Sequence, residues 1–571
     1  MAAVSGPVDE PADGSAALEP PERFGRRGLV MLAVASLALS ILMSWPLVLH
    51  LNRDVANDAG DPLIEAWQVA WDGHALSHQP LHVFESNAFW PMHDSLAFED
   101  SLLGYSPAGL IGEGTVAALI RYDVLYILAY GLAFAGAFLL AREIGVGAWA
   151  AGVAGAAYAY APWRLSQNGH LHVVSSGGLP LAVFLLLRGY RRRKPGMVLA
   201  GWLVAAWQVS LGFTLGLQLA YLIAVLAVVS AIRWFAAGRP AIGRRVVAAS
   251  VAGLVMFAGW SAVQAQPYLR VLRDHPEAKR SVADVTFFSP PPRGLLAAPA
   301  NDWIWGDATK DTRDGLPWAP EQTLFPGVVV VLLALVALGT RRYRWSLRAG
   351  LLAGVIVTAA AALGFRLANG TFTYGLLYHH APGWQSSRTP GRLITLASLG
   401  LGLLGAMGTE RLIRSVRGVL STERAKTAAA IAVGVALTAC VLVEGAGRVP
   451  HPAVPTTPQG IVGVAAPQLH LPSDYFNDLT YMYWSTDGFP RIANGTAVFS
   501  PAFQVRLLER VTSFPDAASV RFLKRIGFSS VVLHPERALG TPWQDAASKP
   551  IDGLGITRRD QEGAVVYDLR G

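Results

Sequence analysis

The sequence has little charge and a single cysteine. Only 15% of its 571 residues are Asp, Glu, Lys or Arg, whereas about a quarter is usual in soluble domains. The cysteine, Cys440, lies inside an apolar run, which excludes a disulfide framework and leaves the redox compartment open. A hydrophobic content of 52% and a mean hydropathy of +0.37 predict a membrane protein.

Several catalytic motifs are also missing. The sequence contains no P-loop, no G-x-G-x-x-G after a strand, no G-x-S-x-G and no H-E-x-x-H, which excludes the nucleotide, hydrolase and metalloprotease chemistry that those motifs carry. The apolar runs hold almost no ionisable residues at mid-depth. Proton- and ion-coupled transporters usually need such residues there.

Apolar runs long enough to cross a membrane recur along the chain. A span takes about 20 mostly apolar residues, and the sequence predicts about eleven of them, of which the first, "GLVMLAVASLALSILMSWPLVLHL", is a retained signal-anchor. These spans cover 28–51, 123–141, 147–163, 174–188, 197–211, 213–232, 246–263, 324–340, 349–365, 393–409 and 427–446. The apolar segment 101–120 would invert every later loop, so we expect it to be re-entrant or to lie on the surface.

Lys and Arg concentrate in four loops between these runs. The loops 188–194, 233–245, 341–348 and 411–426 hold five, four, four and five of them. With the N-terminus in the cytoplasm, all four loops fall on one side, as the positive-inside rule requires. The net charge of +8 therefore orients the chain in the plasma membrane, and it does not indicate a nucleic-acid partner.

This topology divides the chain into three regions. Residues 1–27 form a disordered cytoplasmic N-terminus, and 28–446 form the membrane domain, with large outer loops 52–122 and 264–323. Residues 447–571 form a small extracytoplasmic domain, in which "DAASVRFLKRIG" reads as a helix and "FSSVVLH" and "GAVVYDL" as strands. The fold class is thus an α-helical polytopic membrane protein with a small C-terminal α/β domain.

The segment "NDAGDPLIEAWQVAWDGHAL" predicts a helix directly after the first span. Asp61, Glu65 and Asp72 share one face and the tryptophans the other, which is typical of an amphipathic helix in the membrane interface. Asp61 followed by Pro62 is a favourable N-cap pair. A water-facing acidic stripe needs no function, and on this interpretation Glu65 and Asp72 form the solvated face.

Further polar side chains fall on the same outer side. Glu99 and Asp100 could supply a general base and a substrate or metal ligand, or could be acids at a helix N-terminus. The pair His170 and His172 could bind a metal or a phosphate, although a place in the interfacial belt explains it as well.

The segment "YHHAPGWQSSRTPGRL" precedes the tenth span. Its arginines, Arg388 and Arg392, could clamp a phosphate, or could reach toward lipid headgroups as interfacial arginines commonly do. His379 and His380 lie beside them in the sequence, and Glu321 flanks another span on the same side.

Four segments resemble bacterial members of the GT-C glycosyltransferase superfamily: "GDPLIEAW", "FWPMHDSLAFEDSLLG", "EQTLFPG" and "SSRTPGRLITLASLGLGLLGAMG". The C-terminal "MYWSTDGFPRIANGTAVFSPAF" is similar to the soluble tail of YfhO-like relatives. The resemblance covers most of residues 28–571. It implies a GT-C-like fold and the transfer of a sugar from a polyprenyl-phosphate carrier, outside the cytoplasm, to a glycan, lipid or protein acceptor.

The resemblance also implies roles for particular residues. Asp61, or less well Asp58, matches the essential acid of the first outer loop and would be the general base of an inverting transfer. Asp100 or Glu99 would orient the acceptor or a divalent ion. The phosphate-binding residues would be His170, His172, His380, Arg388 and Arg392. The "GDP" start departs from the Asp-Glu or Glu-x-Asp start of many members, which leaves a requirement for Mg²⁺ or Mn²⁺ open.

Two other functions fit the same sequence. One is a transporter or flippase of lipid-linked glycans, for which the scarcity of charge at mid-depth disfavours ion coupling but permits passive movement. The other is a GT-C-derived scaffold without catalysis, whose outer domain binds a glycan. The sequence leaves the sugar, the acceptor and the oligomeric state open.

Overall fold

The structure is a computed structural model that describes residues 25–570, so most of the predicted N-terminal segment 1–27 lies outside the described residues. Helices of ten residues or more are numbered α1–α15 here. Those of the membrane domain are α1 (Arg26–Met43), α2 (Asp61–His78), α3 (Gly114–Glu143), α4 (Ala148–Ala159), α5 (Gly178–Arg191), α6 (Pro195–Val209), α7 (Phe213–Ala236), α8 (Arg244–Asp274), α9 (Val328–Leu338), α10 (Trp345–Ala362), α11 (Ile394–Gly418) and α12 (Glu423–Glu444).

Within residues 25–570, eight helical segments are long and apolar enough to cross a membrane, which makes the chain a multi-pass membrane protein. They are Arg26–Met43, Gly114–Glu143, Leu171–Arg191, Phe213–Ala236, Arg244–Asp274, Trp345–Ala362, Pro390–Gly418 and Glu423–Glu444. Two shorter apolar helices, α6 and α9, accompany them. Every predicted span overlaps a helix, but the predicted count of about eleven crossings exceeds these eight.

Helix α11 lies at the centre of the membrane domain, in contact with α4, α9, α10 and α12. Its sequence, "ITLASLGLGLLGAMG", is rich in glycine and other small residues. Gly402 lies against the backbone of Ala154 in α4, and Gly408 lies against the carbonyl of Leu333 in α9. Small residues let helix backbones approach closely in a membrane, where van der Waals packing drives association.

Helix α2 is buried on all sides, which corrects the prediction of an interfacial helix. Glu65 and Asp72, expected on a solvated face, are 3% and 0% exposed. The indole N–H of Trp67 donates to Asn87 Oδ1 at 3.0 Å, so this tryptophan is bound inside the outer loop and not at a lipid interface. Periodicity indicates correctly which residues share a face. The loop at His172 covers Glu65 on that face, which periodicity does not indicate.

The segment 101–120 does not form the predicted re-entrant or surface-lying helix. It contains a 3-10 turn at Leu103–Tyr105 and the four-residue helix Ser106–Gly109, and the long helix α3 already begins at Gly114. Gly109 packs against the backbone of Val69 and Gly73 in α2, where neither Gly73 nor Gly109 has room for a side chain. The short helix Ser106–Gly109 therefore packs closely against α2.

The C-terminal region contains α13 (Tyr475–Trp484), α14 (Ala502–Val511) and α15 (Ala517–Ile526), with strands β1 (Gln468–Leu471), β2 (Ser530–Leu533), β3 (Thr557–Gln561) and β4 (Ala564–Asp568). The sheet order is β1-β2-β4-β3. β1 and β2 are parallel, with Leu469 opposite Val531, and the other two pairings are antiparallel. The predicted helix α15 and strands β2 and β4 are confirmed, whereas the sequence analysis missed β1 and β3.

This domain packs directly on the first outer loop. Asn87 donates to Ser485 Oγ at 3.0 Å, and the backbone N–H of Trp90 donates to the carbonyl of Ile492 at 2.9 Å. Helix α13 lies against α2. The contact places the N-terminal ends of α2 and α13 side by side. The domain boundary at residue 446 and the assignment of these loops to the outer side stay predictions.

Candidate active site

Asp61 is the first residue of α2, and its carboxylate makes no capping hydrogen bond, contrary to the predicted N-cap role. Its Oδ2 lies 3.0 Å from Nε2 of His170, and its Oδ1 accepts from the hydroxyl of Tyr475 at 3.1 Å. Burial raises the pKa of Asp61, but His170 and Tyr475 outweigh it and lower the pKa to about 2. Asp61 is therefore ionised at neutral pH, and 37% of its side chain is exposed.

Asp58, the second candidate for the general base, accepts hydrogen bonds from neighbouring residues of the chain. Its Oδ1 accepts from the backbone N–H of Gly60 at 2.8 Å, and its Oδ2 accepts from the side chain of Asn57. Burial raises the pKa of Asp58 above its ordinary value, whereas the pKa of Asp61 is lowered overall. The carboxylate thus closes the turn that leads into α2.

Glu65 holds the loop that carries both histidines. Its carboxylate accepts from the backbone N–H of Leu171 at 2.6 Å and from the backbone N–H and Nδ1 of His172 at 3.2 and 2.6 Å. Burial raises the pKa of Glu65, whereas His170 and the backbone N–H groups of Leu171 and His172 oppose that rise and favour the ionised form. The side chains of His170 and His172 are mostly buried, and each lies beside an acidic residue. This location corrects the alternative of a place in the interfacial belt.

The tautomer of His172 follows from its contact with Arg392. Nη1 of Arg392 lies 2.8 Å from Nε2 of His172. A guanidinium can only donate, so Nε2 accepts and the proton of the neutral ring sits on Nδ1, where it is donated to Glu65. Arg392 is also held by Glu321, with Nη2 2.6 Å and Nε 3.2 Å from its carboxylate oxygens. The charge of Arg392 is thus neutralised within the protein.

Asp100 and Glu99 lie on the other side of His172. Asp100 Oδ1 accepts from the backbone N–H of Phe213 at 2.6 Å, and its Oδ2 lies 3.8 Å from Nε2 of His172. Burial raises the pKa of Glu99 to about 8. Glu99 is therefore mostly protonated at neutral pH, which disfavours it as a base.

Two arginines near Glu99 have no carboxylate partner within ion-pair distance in residues 25–570. Arg388 stacks on the ring of Phe288, 4.9 Å from the centroid, and Arg280 donates to the carbonyl of Val498 at 2.7 Å. Burial, and then the charge of Arg388, lowers the pKa of Arg280, so the two cations are neighbours. A pair of guanidinium groups without an ion-pair partner is suited to binding a phosphate.

A mostly apolar cavity begins at Asp100. It has a volume of about 160 Å³ and is lined by the first turns of α7, by α8 and by the loop at Asp100 and Ser101. Tyr268 borders it and donates to the backbone carbonyl of Glu99 at 3.1 Å. The cavity therefore joins an apolar region between membrane helices to the acidic cluster.

His380 is not part of this cluster. It is exposed at the end of the short helix Tyr374–His380, where its ring lies 6.3 Å from that of His379. The structure therefore brings together seven of the eight predicted site residues: Asp61, Glu99, Asp100, His170, His172, Arg388 and Arg392. Its contacts give no support to a role for His380.

The arrangement does not fit a divalent cation. Among residues 25–570, no group of three or more His, Cys, Asp or Glu side chains could hold a metal ion. The oxygens of Asp61 and Glu65 already accept from N–H and O–H groups, and Asp100 accepts from the backbone. An ion bound at these oxygens would have to compete with these donors.

Three residues of the site were missed or left without a role by the sequence analysis. Glu321 was noted only as flanking a span, Arg280 carries no motif, and Tyr475 is 414 positions away from Asp61. No local pattern connects Tyr475 to the first outer loop. A covarying pair in an alignment would have been the signal.

Comparisons with known proteins show the fold. No protein-family model and no curated protein matches the chain. Among solved structures, the mycobacterial arabinofuranosyltransferase AftD matches 95% of this chain at 16% identity with a TM-score of 0.57, and the chain spans 42% of the length of AftD. This likeness confirms the GT-C-like fold that the sequence predicts.

Two further solved structures match with lower scores. ArnT from Cupriavidus metallidurans, bound to undecaprenyl phosphate, has 14% identity and a TM-score of 0.45 over 95% of this chain and 98% of its own. The Archaeoglobus fulgidus oligosaccharyltransferase has 15% identity and a TM-score of 0.41 over 91% of this chain and 71% of its own.

Proposed function

We propose that the chain is a membrane glycosyltransferase that moves a sugar from a polyprenyl-phosphate carrier to an acceptor hydroxyl outside the cytoplasm. One observation carries the proposal. Asp61, on a GT-C-like fold, is an ionised, partly exposed carboxylate that a histidine orients and that no capping role occupies. A general base needs this combination of charge, access and fixed orientation.

In the proposed reaction, Asp61 accepts the proton of the acceptor hydroxyl. The hydroxyl oxygen then forms a bond to the anomeric carbon, and the bond from that carbon to the phosphate oxygen breaks, with its electron pair leaving on the phosphate. Attack from the face opposite the phosphate inverts the configuration. Because the phosphate is a good leaving group, positioning and a base are sufficient.

Within this proposal, Arg388 and Arg280 receive the phosphate. Arg392, predicted for the same role, is already paired with Glu321 and is better suited to holding His172 in place. The cavity beside Asp100 has the apolar lining that the first isoprene units of a lipid carrier require. No step of this scheme uses a metal ion.

The proposed topology has the N-terminus in the cytoplasm and the site and the C-terminal domain outside. The four basic loops support it, because they all fall on the opposite side. The acceptor is then a glycan, a lipid or a protein of the cell envelope. The name of AftD makes an arabinofuranosyl donor the first to try.

The test is a donor screen with the purified protein in lipid nanodiscs. Polyprenyl-phosphate monosaccharides, labelled in the sugar, are supplied with n-octyl glucoside as a hydroxyl-bearing probe, and released polyprenyl phosphate and labelled glycoside are measured. A new glycosidic bond supports the proposal. Movement of an intact donor across a proteoliposome membrane, without bond formation, would instead identify a flippase. Donor binding with neither outcome would identify a scaffold.

A further inference from the structure

The hydroxyl of Tyr475 occupies the place on Asp61 that an acceptor hydroxyl needs. It donates to Asp61 Oδ1 at 3.1 Å, while His170 holds Oδ2. Burial, and then the charge of Asp61, raises the pKa of Tyr475, so the phenol stays protonated and acts as a donor. Any acceptor that gives its proton to Asp61 must displace this hydroxyl or share the oxygen with it.

The backbone of Tyr475 is held in place, whereas its side chain is largely exposed. It is the first residue of α13, whose N-cap, Asp474, accepts from two backbone N–H groups, and its carbonyl accepts from Thr496 at 2.9 Å. The residue is nevertheless 52% exposed, and its neighbour Phe476 is 69% exposed. The hydroxyl can therefore swing away from Asp61 while the helix keeps its position.

The rings of Tyr475 and Phe476 lie nearly perpendicular to each other beside Asp61. Their centroids lie 5.2 Å apart at an interplanar angle of 82°. Exposed aromatic rings next to a catalytic carboxylate present flat apolar faces, which pack against the C–H face of a sugar ring. Polar side chains adjoin them: Asn477, next to Phe476 on the same helix, accepts from Arg537 at 2.8 Å.

We propose that the N-terminal end of α13 is an acceptor subsite for a sugar ring, in which Tyr475 holds Asp61 until the acceptor arrives. The inference rests on the proposed function. Without an acceptor, the Tyr475 hydroxyl keeps water from the base, so the donor is not hydrolysed. When a sugar ring packs on Phe476, its hydroxyl replaces that of Tyr475 on Oδ1 and becomes the nucleophile.

The reaction that Tyr475 suppresses is hydrolysis of the donor, in which water takes the place of the acceptor. Water gives a proton to Asp61, its oxygen bonds to the anomeric carbon, and the bond to phosphate breaks, which yields free sugar and polyprenyl phosphate. Tyr475→Phe removes only the donor hydroxyl and keeps the ring. Hydrogen bonds to charged groups contribute a factor of roughly ten or more, so we expect donor hydrolysis without acceptor to rise about tenfold.

The experiment measures hydrolysis of a labelled polyprenyl-phosphate sugar without acceptor, and transfer to n-octyl glucoside, in the full-length protein. The matched control is Tyr483→Phe on the same helix, whose hydroxyl donates to Thr115 away from the site. Tyr475→His keeps a ring with an N–H donor, and we expect its hydrolysis rate to fall between those of the wild type and Tyr475→Phe. Thermal unfolding of each variant confirms that it folds.

The outcomes separate the inference from the function on which it rests. A raised ratio of hydrolysis to transfer in Tyr475→Phe, with Tyr483→Phe unchanged, supports the subsite. Hydrolysis at or below the wild-type rate in Tyr475→Phe, while the wild type transfers sugar, overturns the inference alone. If the wild type and Tyr483→Phe neither hydrolyse nor transfer any donor, the proposed function is wrong and the inference falls with it.

Discussion

Glu65 and His172 are joined by a hydrogen bond of 2.6 Å between Oε1 and Nδ1. The same carboxylate accepts from two backbone N–H groups of the loop that carries the histidines. Glu65 thus connects α2 to this loop, and through His172 it reaches Arg392 and Glu321. The position of His170 beside Asp61 depends on this connection.

Glu65→Gln is expected to destabilise the protein and to reduce activity. A glutamine side chain has one acceptor oxygen, and its NH₂ group would face an N–H donor. A buried donor left without a partner costs about 1–3 kcal/mol, so the midpoint of thermal unfolding should fall by about one to three degrees. Glu85→Gln, at a side chain that is 38% exposed, is the control. Equal midpoints for the two variants would contradict the role of Glu65.

The pH dependence of the rate should change in His170→Ala. The folded-state pKa of Asp61, about 2, is below its ordinary value of 3.8. The stability that this ionisation contributes is therefore present above pH 3.8 and lost as the pH falls through 2. In the wild type, Asp61 stays ionised throughout the range above pH 4, and its titration should produce no acid limb there.

In His170→Ala the largest influence on Asp61, burial, is no longer offset by His170, and the hydrogen bond from Tyr475 offsets it only in part. The pKa of Asp61 rises, and an acid limb should appear above pH 4 in the plot of kcat/KM against pH. His82→Ala, at an exposed histidine, should keep the wild-type profile. A profile of His170→Ala without an acid limb above pH 4 would show that His170 does not control the ionisation of Asp61.

Arg388 and Arg392 should differ in function. Arg388 is expected to bind the donor, and Arg392 to stabilise the folded site. Arg388→Ala removes a cation without a carboxylate partner, so the protein should fold normally and bind a polyprenyl-phosphate sugar about ten- to a hundredfold more weakly. Arg392→Ala leaves Glu321 buried without its partner, which costs about 3–5 kcal/mol. The measurements are donor Kd and thermal unfolding, and reversed effects would contradict the assignment.

Chelation should leave the transfer rate unchanged. The oxygens of Asp61 and Glu65 already accept from protein donors, so an ion would have to compete with them. The measurement is transfer by protein dialysed against EDTA, with and without added Mg²⁺ or Mn²⁺. A rate that disappears with EDTA and returns with either ion would show that the carboxylates rearrange around a metal.

Much of the fold could be predicted from the sequence because it depends on local patterns. Long apolar runs and basic loops indicate the membrane helices. Strands β2 and β4 are short apolar runs bounded by turn residues. Strand β3, "TRRDQ", is exposed at every position. It pairs at the edge of the sheet through its backbone, so its side chains carry no apolar signal.

The site was predictable only in part, for a physical reason. The shared face of Asp61 and Glu65 follows from helical periodicity, but burial depends on what covers that face. Glu65 is buried because the loop at His172 lies on it, and Tyr475 reaches Asp61 from a separate domain. These contacts join distant parts of the chain, so no short segment encodes them.

The most direct test of the account is Asp61→Asn, assayed for sugar transfer with the donor that the screen identifies. Asparagine has nearly the same shape but accepts no proton. General base catalysis typically contributes about 10²- to 10⁴-fold, so transfer should fall by at least a hundredfold while thermal unfolding and donor binding stay close to wild type. Asp58→Asn, at the second candidate acid, should retain most of the transfer. Transfer at the wild-type rate in Asp61→Asn would contradict the central claim.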